Sequence, residues 1–173
     1  MYHQFNRYKI LRVFFDKPNK KLQLRELVRQ TDISLPSVKK HVEILLEQGF
    51  LKEVNEGIYI GYKSSLNKKY KALKRNDLLI RLEESGLVKE LEDRFTPGCI
   101  VLYGSAVEGT DDERGDVDIF IQGTERDIKL NRYEDILKRK ISLLFEPNIE
   151  KVDDKLKNSL ANGIVLSGFL KVI

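Results

Sequence analysis

Apolar residues in the first fifty positions recur at the spacing of amphipathic helices. Residues 5–16 and 22–31 predict two short helices, each with its apolar residues on one side. A third helix is predicted to start after Ser34, with Pro36 tolerated in its first turn, and to end at Gly49. Its apolar stripe consists of Val38, Val42, Leu45 and Leu46. The pattern therefore predicts three short helices in succession.

Strand-like alternation follows the third helix. Residues 51–55 and 58–62 alternate around the turn residues 56–57, which predicts a β-hairpin. Residues 64–77 are polar and strongly basic, and we interpret them as a linker that becomes helical near Asn67. Two interpretations of this basic segment stay open, namely a helix that lies along nucleic acid and a helix that is only solvated.

The second half of the chain mixes helical and strand-like segments. An amphipathic helix pair is predicted over residues 78–95, with an interruption at Ser85-Gly86. Strands are predicted over 99–104, 116–122 and 140–146, and helices over 127–139 and 153–161. A final apolar stretch covers residues 163–172, and the C-terminal residues 168–173 are expected to complete the sheet as a strand, with a subunit contact as the alternative. Such alternation predicts a small sheet with helices packed on it.

Charge divides the chain at about the same place as the predicted elements. Residues 1–75 hold 17 Lys and Arg against 7 Asp and Glu, a net charge of +10. Residues 76–173 hold 14 against 20, a net charge of −6. The basic half is therefore the candidate for binding a polyanion such as nucleic acid.

Composition excludes several classes of protein. The chain has 41% hydrophobic and 34% charged residues and no apolar run near the ~20 residues that span a membrane, so we expect a globular cytoplasmic protein without membrane partners. The N-terminus lacks the layout of a signal peptide. The lone Cys99 lies in a predicted strand and is expected to be a core residue, so neither a disulfide nor a zinc site is predicted.

The most informative stretch is GSAVEGTDDERGDVD, at positions 104–118 between two apolar segments. Asp116 and Asp118 are two apart on a predicted strand and therefore point to the same face. Gly104 permits close backbone approach, and Ser105 supplies a hydroxyl that can bind phosphate. Carboxylates combined with phosphate oxygens suit Mg²⁺, so the stretch predicts a site for a metal-bound triphosphate.

With its flanking strands, this stretch resembles the polymerase-β-type nucleotidyltransferase superfamily, specifically its minimal branch, whose signature is Gly-Ser followed by Asp-x-Asp. The resemblance implies that Gly104 and Ser105 hold the triphosphate of an NTP, which we expect to be ATP. It also implies that Asp116 and Asp118 are catalytic and bind Mg²⁺ or Mn²⁺. The implied reaction is transfer of a nucleoside monophosphate to a hydroxyl.

The family carries a third carboxylate in a later strand, where it helps to activate the acceptor hydroxyl. The matching position here is Ser142, and Glu146 could replace it only if the strand pairs in a shifted register. A hydroxyl is a poor Mg²⁺ ligand and no base at neutral pH, so this departure weakens the case for catalysis and leaves nucleotide binding intact. The acids of the intervening loop are expected to be solvated, namely Asp111, Asp112 and Glu113.

Three helices followed by a hairpin, with the sequence LPSVKKHVEILLEQGFLKE, resemble the winged helix-turn-helix family. Archaeal-type regulators that fuse a winged helix to a nucleotidyltransferase-like domain have a similar layout. The resemblance implies that the third helix reads double-stranded DNA. Because the apolar stripe of this helix faces inward, Ser37, Lys39 and Lys40 face outward, where they can reach phosphates or base edges.

We therefore predict two domains, an α+β winged helix over residues 1–64 and an α/β nucleotidyltransferase-like domain over 96–173, the latter a small mixed sheet with flanking helices. Residues 65–95 are predicted to be a basic helical linker. The favoured function is a DNA-binding transcriptional regulator that binds NTP and Mg²⁺. The alternatives are an active nucleotidyltransferase that modifies a partner protein, as in toxin–antitoxin pairs, and a purely structural fusion. A homodimer would suit paired DNA half-sites.

Overall fold

The computed structural model describes residues 5–55 and 59–171, and the chain divides into two compact units, Met1–Lys74 and Arg75–Ile173. In the N-terminal unit, three helices precede a two-stranded hairpin. These elements are α1 (Asn6–Asp16), α2 (Leu24–Thr31), α3 (Leu35–Glu47), β1 (Leu51–Val54) and β2 (Gly61–Ser64). The three predicted helices are thus confirmed, and Gly49 ends the third with a positive φ of 72°.

One apolar cluster holds the N-terminal unit together, because α1, α2 and α3 bury their stripes against each other. Its largest fully buried members are Ile10, Phe14, Phe15, Leu22, Leu27, Leu45 and Tyr70. The Tyr70 hydroxyl donates a hydrogen bond to the Phe14 carbonyl at 2.7 Å and accepts one from Ser64 Oγ at 2.9 Å. A buried phenol therefore keeps both of its hydrogen-bonding roles, as a dry environment requires.

The hairpin strands pair antiparallel, with Leu51 opposite Ser64, and Leu22 forms an isolated bridge with Tyr62. The prediction of the second strand at 58–62 is wrong in position, because the buried Leu51 pairs with the buried Ser64 and so moves the strand to Gly61–Ser64. The predicted turn at residues 56–57, like Ile58, lies outside the described residues.

The helices predicted near the linker are α4 (Lys68–Ser85) and α5 (Leu87–Phe95). Asn67 begins α4 by accepting a hydrogen bond from the Tyr70 backbone N–H at 2.9 Å, and Gly86, with φ of 76°, separates the two helices as predicted. Together they contribute to both cores, since Tyr70 packs in the N-terminal unit and the later apolar residues pack in the C-terminal unit. Of the two open interpretations of the basic segment, solvation does not hold at Lys74, which is only 4% exposed.

The C-terminal unit is built on a four-stranded mixed sheet, as predicted. Its elements in chain order are β3 (Cys99–Tyr103), α6 (Ser105–Glu108), β4 (Val117–Ile121), α7 (Asn131–Leu137), β5 (Ile141–Phe145), a short 3₁₀ turn (Ile149–Lys151), α8 (Asp154–Ala161) and β6 (Ile164–Gly168). The strand order is β5-β4-β3-β6, in which β4 and β5 are parallel and the other pairs antiparallel. β6 lies within the apolar stretch 163–172 but ends at Gly168, so the last strand expected over 168–173 is wrong in position. Residues 172–173 lie outside the described ranges.

Helices cover both faces of this sheet. On one face, Ile100, Leu102 and Ile119 pack against apolar residues of α4, α5 and α7. On the other face, Val101 and Phe120 pack with α8, together with Cys99, which is fully buried as predicted. None of the helices in the described ranges combines the length and apolarity needed to cross a membrane.

Backbone carbonyl oxygens lie so close to Gly163, at the junction between α8 and β6, that a side chain there would collide with them. A Cβ at this position would lie 2.7 Å from the Leu102 carbonyl oxygen and 3.0 Å from that of Leu160. Since both contacts are backbone atoms, we expect Gly163→Ala to lower the free energy of unfolding by about 1–3 kcal/mol in urea denaturation. The matched control is Gly123→Ala, whose nearest neighbours would be 3.9 Å away. Equal stability of the two variants would contradict this packing.

Candidate active site

The end of β3 brings an exposed glycine against a carboxylate. Gly104 follows Tyr103 with φ of 76° and ψ of −158°, a conformation that side chains other than glycine rarely adopt. A Cβ at Gly104 would lie 2.7 Å from Asp118 Oδ2. Two reasons therefore favour glycine at position 104. The positive φ of the turn disfavours other residues, and a Cβ would collide with the Asp118 carboxylate.

The Gly-Ser pair leads into the single-turn helix α6, which the sequence interpretation treated as part of a loop. Its turn is closed by the Val107 N–H donating to the Gly104 carbonyl at 3.1 Å and the Thr110 N–H donating to the Ser105 carbonyl at 3.1 Å. Gly104 and Ser105 are themselves exposed. This stretch of backbone is thus shaped by internal hydrogen bonds and still open to a ligand.

Asp116 and Asp118 flank the buried Val117 at the start of β4. Asp116 is exposed and immediately precedes the strand, whereas Asp118 is half-buried within it. Burial raises the pKa of Asp118, and the neighbouring charge of Asp116 raises that pKa further. A divalent cation bound beside Asp118 would offset the negative charge of Asp116 that opposes its ionisation.

Sheet register places the third candidate position beside this pair. Asp118 lies opposite Tyr103 on β3 and opposite Ser142 on β5, so the three residues form one row across the sheet. Burial raises the pKa of Tyr103, and the charge of Asp118 adds to that shift. The register thus places Ser142 directly beside Asp118, and its equivalence to the family's third carboxylate stays a prediction.

Glu146 lies too far along the sheet to replace that carboxylate. Its backbone N–H donates to the Ile121 carbonyl at 3.2 Å, at the opposite end of β4 from Asp116. Its carboxylate accepts a hydrogen bond from the Asn148 backbone N–H at 2.9 Å. The shifted register that would bring Glu146 to the site is therefore absent.

A cavity of about 620 Å³ lies directly beside Gly104, and the sequence interpretation missed the residues that line it. Arg75 contributes one positive charge from α4 and Lys155 another from α8. Three of the lining residues lie on α8 and a fourth caps its C-terminal end, namely Lys155, Asn158, Ser159 and the capping Asn162. These residues are three or four positions apart in the sequence and lie on the side of the helix opposite the buried Leu160. That polar periodicity is the sequence pattern from which they could have been predicted.

The loop between α6 and β4 is held by a buried ion pair. Arg139 Nη1 lies 2.6 Å from Asp111 Oδ2, and both side chains are less than 8% exposed. Arg139 also donates to the Asp112 carbonyl. The expectation that Asp111 is a solvated loop charge is therefore wrong, because a partner distant in sequence draws it inside. The contacts of Arg139 with Asp111 and with the Asp112 carbonyl thus stabilise the loop that ends at Asp116.

The donor set fits a metal that completes its coordination with phosphate and water. In the described ranges, no group of three or more His, Cys, Asp or Glu side chains could hold a metal ion. Asp116 and Asp118 supply two carboxylates, and Mg²⁺ commonly takes one or two from protein and the rest of its ligands from substrate phosphates and water. These two residues are the ones that would hold it.

Comparison with known families agrees with this geometry. Residues 84–166 match the family model of the nucleotidyltransferase domain. The match covers most of the C-terminal unit and supports a nucleotidyltransferase domain there. Such a domain implies a reaction that uses a nucleoside triphosphate, and the matched range includes the Gly-Ser pair, both aspartates and Ser142. No curated protein and no solved structure is significantly similar to the chain.

The predicted DNA-contacting residues lie on α3 in the N-terminal unit. Lys39 and Lys40 are exposed, and Ser37 is half-buried. Asn6 Nδ2 of α1 lies 3.4 Å from Ser37 Oγ, within hydrogen-bonding distance. The two lysines are thus available to a partner, whereas the Ser37 hydroxyl is engaged by a neighbouring helix.

The coupling between the two aspartates can be tested by changing one charge. We expect Asp116→Asn to lower the pKa of Asp118, because it removes the neighbouring negative charge. That pKa should still stay above the usual value, because burial is its main cause. Carboxyl-carbon NMR titration measures the shift. The control is Glu113→Gln, which removes the charge of an exposed loop acid and should leave the pKa of Asp118 unchanged. An equal shift of that pKa in both variants would contradict the coupling between Asp116 and Asp118.

Proposed function

We propose that the C-terminal unit binds a nucleoside triphosphate, ATP in the first instance, together with Mg²⁺ or Mn²⁺, and uses it for nucleotidyl transfer. The observation that carries this proposal is the close approach of the Asp118 carboxylate to the exposed Gly104, where an added Cβ would lie 2.7 Å from Asp118 Oδ2. A phosphate bound at Gly104 and Ser105 would lie beside Asp116 and Asp118. The phosphate and the two carboxylates are all negatively charged and repel one another. Binding at this place is therefore favourable only when a divalent cation offsets their charge.

The cavity next to Gly104 suits the remainder of such a ligand. Arg75 and Lys155 offset negative charge on the phosphates, and the amides of Asn158 and Asn162 can donate to or accept from a nucleobase. Its volume of about 620 Å³ lies within the range of small-molecule sites. We assign the nucleoside to this face of α8.

In the proposed reaction the acceptor hydroxyl oxygen bonds to the α-phosphorus, the bond to the bridging oxygen breaks, and pyrophosphate leaves. The metal would neutralise charge on the phosphates. Asp116 and Asp118 orient that assembly. Ser142 occupies the place from which a carboxylate would take the hydroxyl proton, so this proton must pass to water. We therefore infer firm nucleotide binding combined with slow transfer.

Nucleotide binding is tested by calorimetric titration of the full chain with ATP, with and without Mg²⁺. Asp118→Asn should weaken Mg²⁺-dependent binding by roughly tenfold or more, because a charged ligand becomes neutral. The matched control is Asp93→Asn, an exposed aspartate on α5 that removes the same charge. Equal ATP affinity of the wild type and Asp118→Asn would refute the site.

Slow transfer is tested by restoring the missing carboxylate. Ser142→Asp should raise the rate of pyrophosphate release from ATP by roughly tenfold or more, since a positioned general base contributes at least that much. Ser142→Asn, which has the same size and no basicity, should not. An Asp variant as slow as the Asn variant would show that the proton transfer at this position does not limit the reaction.

For the N-terminal unit we propose binding of double-stranded DNA by a winged helix. Supporting this are the hairpin, the bridge from Leu22 to Tyr62, and the exposed Lys39 and Lys40 on α3. The excess of basic residues in the first 75 positions adds long-range attraction for phosphates. The role of a transcriptional regulator rests on this proposal.

DNA binding is tested by fluorescence anisotropy with a labelled mixed-sequence duplex at several salt concentrations. Lys39→Ala/Lys40→Ala should weaken binding and reduce the slope of log affinity against log salt by about one per lysine. Lys129→Ala/Lys151→Ala, two exposed lysines of the other unit, provides the charge-matched control. Identical salt slopes for both double variants would exclude α3 as the DNA-contacting helix.

Two further expectations stay predictions. One is a partner protein that supplies the acceptor hydroxyl, as a toxin would, and the other is a homodimer that matches paired DNA half-sites. Mass spectrometry of ATP-treated mixtures would detect the first as an added nucleoside monophosphate, and sedimentation equilibrium would detect the second.

A further inference from the structure

The N-terminal unit contains a cavity that neither proposed function uses. It has a volume of about 600 Å³ and lies among residues of α1, α3 and α4. Its described lining residues are Phe5, Asn6, Arg7, Tyr8, Leu11, His41, Leu45, Gln48, Phe50 and Leu73. A cavity of this size, mostly apolar with a few polar groups, has the character of a small-molecule site.

Two of the residues that line this cavity each carry a buried polar atom without a partner. Arg7 Nε and His41 Nδ1 are inaccessible to solvent and have no hydrogen-bond partner within residues 5–55 and 59–171. Buried polar atoms in folded proteins are nearly always paired, and leaving them unpaired costs free energy. A ligand that accepts from Arg7 and pairs with His41 would recover that cost.

The charge of the cavity indicates which ligand it suits. Among its described lining residues none is acidic, and Lys69 adds a further positive charge by lying 4.5 Å from the centre of the Phe50 ring. Burial, Arg7 and Lys40 all lower the pKa of His41, which disfavours a second positive charge beside the guanidinium. An anion is therefore the complementary group, and a planar carboxylate can accept two parallel hydrogen bonds from a guanidinium.

The walls indicate the rest of the ligand. Leu11, Leu45 and Phe50 are buried, while Phe5 is 64% exposed at the start of α1. Aromatic and aliphatic side chains bind a flat apolar group favourably, because both bury apolar surface. A simple inorganic anion has no such group. We propose that this cavity binds a small organic acid with a flat apolar body, its carboxylate paired with Arg7 and His41.

The probe for this site is 2-naphthoate, titrated into the full chain by calorimetry. Binding should be at least tenfold weaker in Arg7→Met than in the wild type. Lys9→Met removes an equal charge from the exposed side of the same helix and should bind like the wild type. The neutral isostere 2-naphthalenemethanol should bind at least tenfold more weakly than 2-naphthoate, because the proposal requires the carboxylate.

A second variant and a second measurement keep the test decisive if Arg7→Met does not fold. Gln48→Trp places an indole at an exposed position of the lining and should abolish binding by filling the cavity. The ring signals of His41, one of two histidines in the chain, should shift on titration with 2-naphthoate. Absence of binding, equal affinity for the neutral alcohol, or unshifted His41 signals would overturn the proposal.

Discussion

The register of the four-stranded sheet is the constraint on which the C-terminal unit depends. Antiparallel pairing of β3 with β4 and parallel pairing of β4 with β5 place Tyr103, Asp118 and Ser142 in one row. A slip of one residue would turn Asp118 into the apolar core and bring Val117 to the surface. Because Val117 and Ile119 are fully buried, the apolar core itself holds Asp118 against Gly104.

Buried ion pairs extend this arrangement from the strands to the connecting segments. Arg139 holds the loop before β4 through Asp111, and Arg81 pairs with Asp77 while donating to the carbonyls of Ile136 and Leu137 at the end of α7. A charge buried without a partner would cost several kcal/mol, so each of these arginines favours the segment position in which it is paired. Precision at the surface site is thus supported by polar contacts in the interior.

Prediction succeeded where a local pattern decides the outcome. The stripes of α1 to α3, the break at Ser85-Gly86, the buried Cys99 and the Gly-Ser…Asp-x-Asp spacing all depend on neighbouring residues and appear in the structure as expected. The second hairpin strand was misplaced, because its position depends on which residue Leu51 pairs with. Asp111 was misjudged and the burial of Lys74 was not predicted, because polar residues become buried through partners or packing that local sequence does not show.

The sequence by itself determined the residue types of the site and the order of the elements, since hydrophobic periodicity and glycine conformation are local properties. Only the tertiary structure decided that Ser142, and not Glu146, stands beside Asp118, because register depends on pairing between strands far apart in the chain. It also decided that a face of α8 lies beside Gly104 and that Arg7 and His41 share a cavity. Such neighbours arise when separate helices and strands bury their apolar faces together, and that packing depends on the whole fold.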